Sequence, residues 1–194
     1  AFSQGGNYGS PVYNIIDFIT IPSTGNATDF GDANDSAREA TSAGSNHTRG
    51  LTAGGYNDSS ASNLDRIGAI TFSTTGNAQD FGNLINGVRE PFDGIISTGI
   101  RGFNCGGVSP SFTNTINMMT IPTFGDAVDF GDLIQVGRLG GAVGNSTRGF
   151  LLGNSGPSDT HTTEIQKLNL ISGGNAVQTG DCVVTRSQVG VSDP

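Results

Sequence analysis

Apolar residues along this chain fall into short extended runs separated by glycine and polar turns. The runs Ile16 to Ile21, Ile67 to Phe72, Ile116 to Ile121 and Ile165 to Leu170 align into columns. One column holds Ile16, Ile67, Ile116 and Ile165, the next Ile19, Ile70, Met119 and Leu168, and a third Ile21, Phe72, Ile121 and Leu170. A spacing of three also occurs on helices, but the β-branched content and the flanking Gly and Pro predict strands. On a strand, residues three apart point to opposite faces. Both faces then need cover, as in a sheet packed between two neighbouring sheets.

A second pattern follows each run. Gly25-Asn26-Ala27-Thr28-Asp29-Phe30-Gly31-Asp32 recurs from Gly76 to Asn83 and from Gly125 to Asp132, with a worn form from Gly174 to Asp181, at spacings of 51, 49 and 49. Single arginines keep the same register at Arg38, Arg89, Arg138 and Arg186, each followed by a stretch of small residues suited to a tightly packed strand. A second arginine then stands in a turn, as Arg49-Gly50, Arg101-Gly102 and Arg148-Gly149. The unit closes with Leu51 to Gly55, Phe103 to Gly107 or Phe150 to Asn154. A period near 50 residues with four short strands per unit predicts a repeat architecture. The expected organisation is one domain, 1–194, of four units at about 5–53, 54–105, 106–152 and 153–194 plus 1–4.

The Gly-Gly pairs (Gly5-Gly6, Gly54-Gly55, Gly106-Gly107), the polar hairpin after them and the Arg before a small-residue strand resemble the kelch repeat of the galactose-oxidase-like propellers. The Trp of that family is absent. Phe30, Phe81, Phe130 and, in the worn unit, Thr179 stand at about its place. A narrower likeness, covering almost the whole chain, is to the GNATDFGDL- and RGxxAGGY-type repeats in structural and fibre proteins of marine bacteriophages, those of cyanobacteria especially. These resemblances imply an all-β fold, a β-propeller of four blades with four antiparallel strands each. Phe2 to Gly6 matches Phe103 to Gly107, and eight residues follow Arg186. The N-terminal strand, Phe2 to Gly6, is therefore expected to complete the last blade and close the ring, the alternatives being a larger ring shared between two chains or a fragment of a long fibre.

Composition narrows the partners. Gly makes up 31 of 194 residues and apolar residues 34%, so the core is thin and divided among many turns. Nine basic against seventeen acidic residues give a net charge of −8, which argues against nucleic acid, since phosphate binding needs clustered Lys and Arg. No apolar run reaches the length of a membrane span, and no signal-peptide pattern opens the chain. Cys105 and Cys182 match no metal-ligand spacing and are expected to be free thiols.

Candidate chemistry is sparse. In the motifs built on Asp29, Asp80 and Asp129, the pairs Asp29 with Asp32 and Asp129 with Asp132 suggest oxygen ligands for calcium, but two carboxylates are too few, and capping of Asx turns is expected instead. Arg38, Arg89, Arg138 and Arg186 either line a channel that holds an anion or bond between blades, the latter being expected. His47 and His161 lie in polar stretches and are expected at the surface. No nucleophile elbow singles out a Ser/His/Asp set, and Tyr8, Tyr13 and Tyr56 are too few for copper chemistry with His. No catalytic residue, cofactor or metal is expected. Partner contacts fall to the loops after the Gly-Gly pairs, with Tyr8, Tyr13, Tyr56, Asn57, Asp58, Asn63, Ser109, Asn154 and Asp159 as adaptable polar or aromatic contacts. The expectation is a non-enzymatic structural protein of a phage virion, made in the host cytoplasm without a signal peptide. It would decorate a capsid or form a tail or fibre propeller, contacting other virion proteins, further copies of itself or a host surface. The alternative is a glycan-binding propeller lectin, and after it an enzyme, a hydrolase or oxidase, sited in the central channel.

Overall fold

The computed structural model describes residues 2–7, 12–35, 41–57, 60–92 and 94–183. Among these residues there is no α-helix, and every main sheet is antiparallel. Sheet 1 holds β1 (Phe2–Asn7), β2 (Val12–Phe18) and β3 (Thr28–Asp32). Sheet 2 holds β4 (Ser42–Ser45) and β5 (Arg49–Ala53); after a two-stranded ribbon, β6 (Tyr56–Asn57) with β7 (Ser62–Asn63), it continues with β8 (Arg66–Thr71) and β9 (Gln79–Asn83). Sheet 3 repeats the plan with β10 (Ile96–Ser97), β11 (Arg101–Cys105), the ribbon β12 (Val108–Ser109) with β13 (Ser111–Phe112), β14 (Thr115–Thr120) and β15 (Val128–Asp132). Sheet 4 holds β16 (Gly141–Gly144), β17 (Arg148–Ser155), β18 (His161–Asn169) and β19 (Val177–Asp181), with a 3-10 turn at Pro157–Asp159 between β17 and β18.

The sheets stack in chain order, with one apolar cluster at each junction. Ile16 and Phe30 of sheet 1 meet Ile70 of sheet 2, with Phe72 packed alongside. Leu51, Ile67 and Phe81 of sheet 2 meet Met119 and Ile121 of sheet 3. Phe103, Cys105 and Ile116 of sheet 3 meet Leu168 and Leu170 of sheet 4. The columns read from the sequence thus face opposite ways as expected: the Ile67 and Ile116 column looks toward the next sheet, and the Ile70, Met119 and Leu168 column toward the previous one.

The repeated octapeptide is a clasp between sheets. In sheets 1 to 3 the strand pairing skips one residue at the Phe of Asp-Phe-Gly, and in sheet 4 at Thr179, a β-bulge that turns Phe30 and Phe81 into the core at 5% and 2% exposure. The glycine that follows, Gly31, Gly82 or Gly131, takes φ near +146°, where only glycine is unstrained. It lies against the first glycine of the next unit: a Cβ on Gly31 would stand 2.5 Å from the Gly76 backbone. Three hydrogen bonds lock the contact. Gly76 N–H donates to Phe30 O (2.8 Å), Ala78 N–H donates to Asp32 O (2.7 Å), and Asn77 Oδ1 accepts from Asp32 N–H (3.0 Å). The same set joins sheets 2 and 3 through Gly125, Asp126 and Ala127, and sheets 3 and 4 through Gly174, Asn175 and Ala176.

The expected closure of the ring needs correction on two points. β1 does not complete the last sheet. It pairs with β2 at the edge of the three-stranded sheet 1, while sheet 4 already holds four strands of its own. The physical reason is phase: a sheet begins at the small-residue strand, so the expected unit boundaries at 53, 105 and 152 fall inside or at the end of its second strand. In sheet 1 the place beside β1, taken elsewhere by β4, β10 and β16, would correspond to 187–191, which lie outside the described residues. Nor do sheets 4 and 1 meet through the clasp. Among the described residues no hydrogen bond links 25–27 to 179–181. Ile21 is 78% exposed, whereas its counterparts Ile121 and Leu170 are buried.

Candidate functional site

The hairpins that follow the Gly-Gly strands gather in a row at one end of the sheets. Gly54 and Gly106 have positive φ, which swings the chain out of its sheet into the hairpin, while at Gly153 positive φ marks a bulge within β17, which runs on to Ser155. The row is tied along its length. Asn63 Nδ2 donates to Val108 O (2.8 Å), Arg89 pairs with Val108, Gly107 N–H donates to Gly137 O (2.8 Å), and Arg138 pairs with Ser155.

Arg89 and Arg138 sit under these hairpins, both half-buried. The Arg89 guanidinium lies 4.9 Å from the centroid of the Tyr56 ring, and that of Arg138 lies 5.5 Å from the centroid of Phe112 while pairing with Glu90. Both therefore make contacts between one hairpin and the next unit. Arg38 and Arg186 lie outside the described residues, so a ring of four arginines is not in view. The second arginines also bond between sheets: Arg49 Nη1 donates to Ile121 O (2.6 Å) and Arg101 Nη1 to Leu170 O (3.1 Å).

The contact residues expected from the sequence divide. Tyr56, Asn57, Asn63 and Ser109 are half-buried on the two ribbons, with Asn57 Oδ1 accepting from Ser60 N–H (3.1 Å) to shape the turn. Asn154 is not a surface contact: β17 runs on through it, and its side chain is 1% exposed, with Oδ1 accepting from the Thr162 hydroxyl at 2.9 Å. Tyr13, 49% exposed, lies on strand β2 rather than in a loop. Asp159 ends the 3-10 turn, and Tyr8 and Asp58 lie outside the described residues.

Of the motif carboxylates, Asp80 and Asp129 accept from the N–H two residues on, of Gly82 at 3.2 Å and Gly131 at 3.0 Å, the expected Asx turns. Asp29 is exposed on β3. Among the described residues, no three His, Cys, Asp or Glu side chains gather as a metal set. His47 and His161 are exposed, as expected. Cys105 is a free, buried thiol whose pKa burial pushes up to about 12, so the nucleophilic thiolate is suppressed.

Three residues of this region were not singled out by sequence reasoning. Glu90, at φ 50°, and Phe112 complete the Arg138 contact, and only their spacing from a register arginine hinted at it. Glu164 is the third. It faces Asp181 across β18 and β19, is 8% exposed, and has one carboxylate oxygen without a hydrogen bond. Desolvation, and then the Asp181 charge, raise its pKa. The folded state therefore holds this proton more tightly than the unfolded state, and stability falls as pH rises from the ordinary carboxylate range through the raised value. Glu164→Gln is expected to raise the melting temperature by roughly 2–4 °C at pH 7 and to leave it unchanged near pH 3, as scanning calorimetry would read.

The stacked sheets and their tied hairpins have solved counterparts. The chain superposes on YjhT. The TM-score is 0.77 with 12% sequence identity, over 97% of this chain and 70% of YjhT, one of 142 solved chains that match. At that identity the likeness establishes a shared fold and nothing finer. No family model matches the chain, and no curated protein matches it in sequence.

Proposed function

We propose that the four sheets are successive blades of a β-propeller and that the protein is a non-enzymatic structural component of a phage virion. It would decorate the capsid or form part of a tail or fibre, offering its hairpin row to other virion proteins or to the host surface. The observation that carries this reading is the use made of the repeated residues. The glycines, asparagines and arginines that recur in register are spent on junctions between sheets, and the hairpins, which carry the least repeated sequence, are left to vary. A rigid array with a variable rim suits display and contact. The phage-type repeats supply the setting. The test is mass spectrometry and antibody labelling of purified particles from a phage that encodes the chain. Stoichiometric presence at one location on the particle is the expected result, and absence from the particles would overturn the assignment.

A further inference from the structure

The two outer faces of the stack are complementary halves of the junction that the chain builds three times internally. On the leading face of sheet 1 stand Gly25, Asn26 and Ala27, in the register of Gly76, Asn77 and Ala78, with Asn26 and Ala27 exposed. On the trailing face of sheet 4 stand Gly180 and Asp181, in the register of Gly31 and Asp32. A Cβ on Gly180 would meet nothing within 4 Å, whereas at Gly31, Gly82 and Gly131 it would collide with the next unit.

The other junction bonds are matched in the same way. Buried Asn117 and Gln166 each accept a backbone N–H from the previous sheet, of Ile85 at 3.0 Å and Ile134 at 2.8 Å. Asp17 holds that acceptor register in sheet 1, and Val183, fully exposed, holds the donor register after sheet 4. Arg49 and Arg101 reach the Ile121 and Leu170 carbonyls. Arg148, exposed and without such an acceptor among the described residues, is in register to reach that of Ile21, which is 78% exposed.

Among the described residues these two faces do not meet, since no hydrogen bond joins 25–27 to 179–181. Sheets 2 and 3 are held at two places, by the glycine clasp and by the small-residue strands, where Ile95 N–H donates to Ala43 O (2.8 Å) and Ile95 packs onto Gly44; Ile96 packs onto Gly144 in the same way between sheets 3 and 4. With three junctions formed at this geometry, the fourth is left unformed. We infer that the trailing face of sheet 4 takes the leading face of sheet 1 of a second copy of this chain, so that copies join head to tail. Such a heterologous contact yields a closed ring or an open filament. The inference rests on the propeller-like junctions and not on the virion assignment, and its test is independent of that assignment.

The test is the mass of the purified protein in solution together with directed cross-linking. Sedimentation equilibrium is expected to show concentration-dependent assembly to two or more copies. Gly180→Val, which meets no neighbour and does not sit at positive φ within the chain, is expected to leave the circular dichroism spectrum unchanged while weakening assembly at least tenfold. Ile171→Asp, at an exposed position outside the register of the clasp and of the other junction bonds, is expected to assemble as the unaltered protein does. In a Cys182→Ser background, an equal mixture of Asn26→Cys and Asp181→Cys chains is expected to form a disulfide between the two chains on mild oxidation. A protein that stays a single chain at high micromolar concentration would overturn the inference. So would a doubly substituted chain that cross-links only within itself, since that would mean closure by one copy.

Discussion

Gly131→Ala is expected to lower the stability of the protein by about 3 kcal/mol or more, although it adds a single methyl group. Two costs combine. At φ +147° an L side chain is strained by about 1–3 kcal/mol, and the new Cβ would stand 2.7 Å from the Gly174 backbone, which would have to retreat. Retreat breaks the bonds from Gly174 N–H to Phe130 O and from Ala176 N–H to Asp132 O. Denaturant unfolding should therefore show a lower midpoint, and amide exchange at Gly174 and Ala176 should accelerate before that of sheets 1 and 2. The same replacement at Gly180 is expected to be nearly neutral, because no neighbour lies in its path. Equal losses at the two positions would mean that the clasp is not what the glycine serves.

The second large effect distinguishes an inner sheet from an outer one. Ile116 is fully buried between sheets 3 and 4, and its truncation to alanine is expected to cost about 2–5 kcal/mol through lost burial and a residual cavity. Ile165 holds the same column in sheet 4 but is only half covered, so Ile165→Ala should cost less than half as much. Urea midpoints for the two variants, measured at low concentration where copies are apart, give the comparison directly. At concentrations where copies associate, the cost at Ile165 should rise toward that at Ile116, because the second copy would then supply the missing cover.

The strands and their facing were legible in the sequence because burial on both sides imposes a pattern that β-branched residues satisfy. Ile67 and Met119 meet at one junction and Ile116 and Leu168 at the next, as their columns imply. The period was legible for the same reason. What a period does not carry is phase. Gly-Asn-Ala and Asp-Phe-Gly-Asp stand one residue apart in a single recurring octapeptide, yet the first half bonds to the unit before and the second to the unit after. Hence the strand Phe2 to Gly6 was assigned to the wrong end of a sheet. The candidate contacts show a related limit. Asn154 reads as a polar loop residue, but β17 runs straight through the position where the other units turn into a ribbon, and that extension draws its side chain inside. Arg138 was found by register, but its partners Glu90 and Phe112 come from the neighbouring unit, where no local motif announces them.

The turns at the clasp end have one length in sheets 2, 3 and 4, from Thr71 to Gln79, Thr120 to Val128 and Asn169 to Val177. At the opposite end the connections differ, from Ala53 to Arg66, Cys105 to Thr115 and Ser155 to His161. Insertions and substitutions at the hairpin tips therefore leave the inter-sheet register untouched. Surface specificity can diversify there under selection by a changing partner, with little penalty in folding, while the glycine-rich end stays nearly invariant.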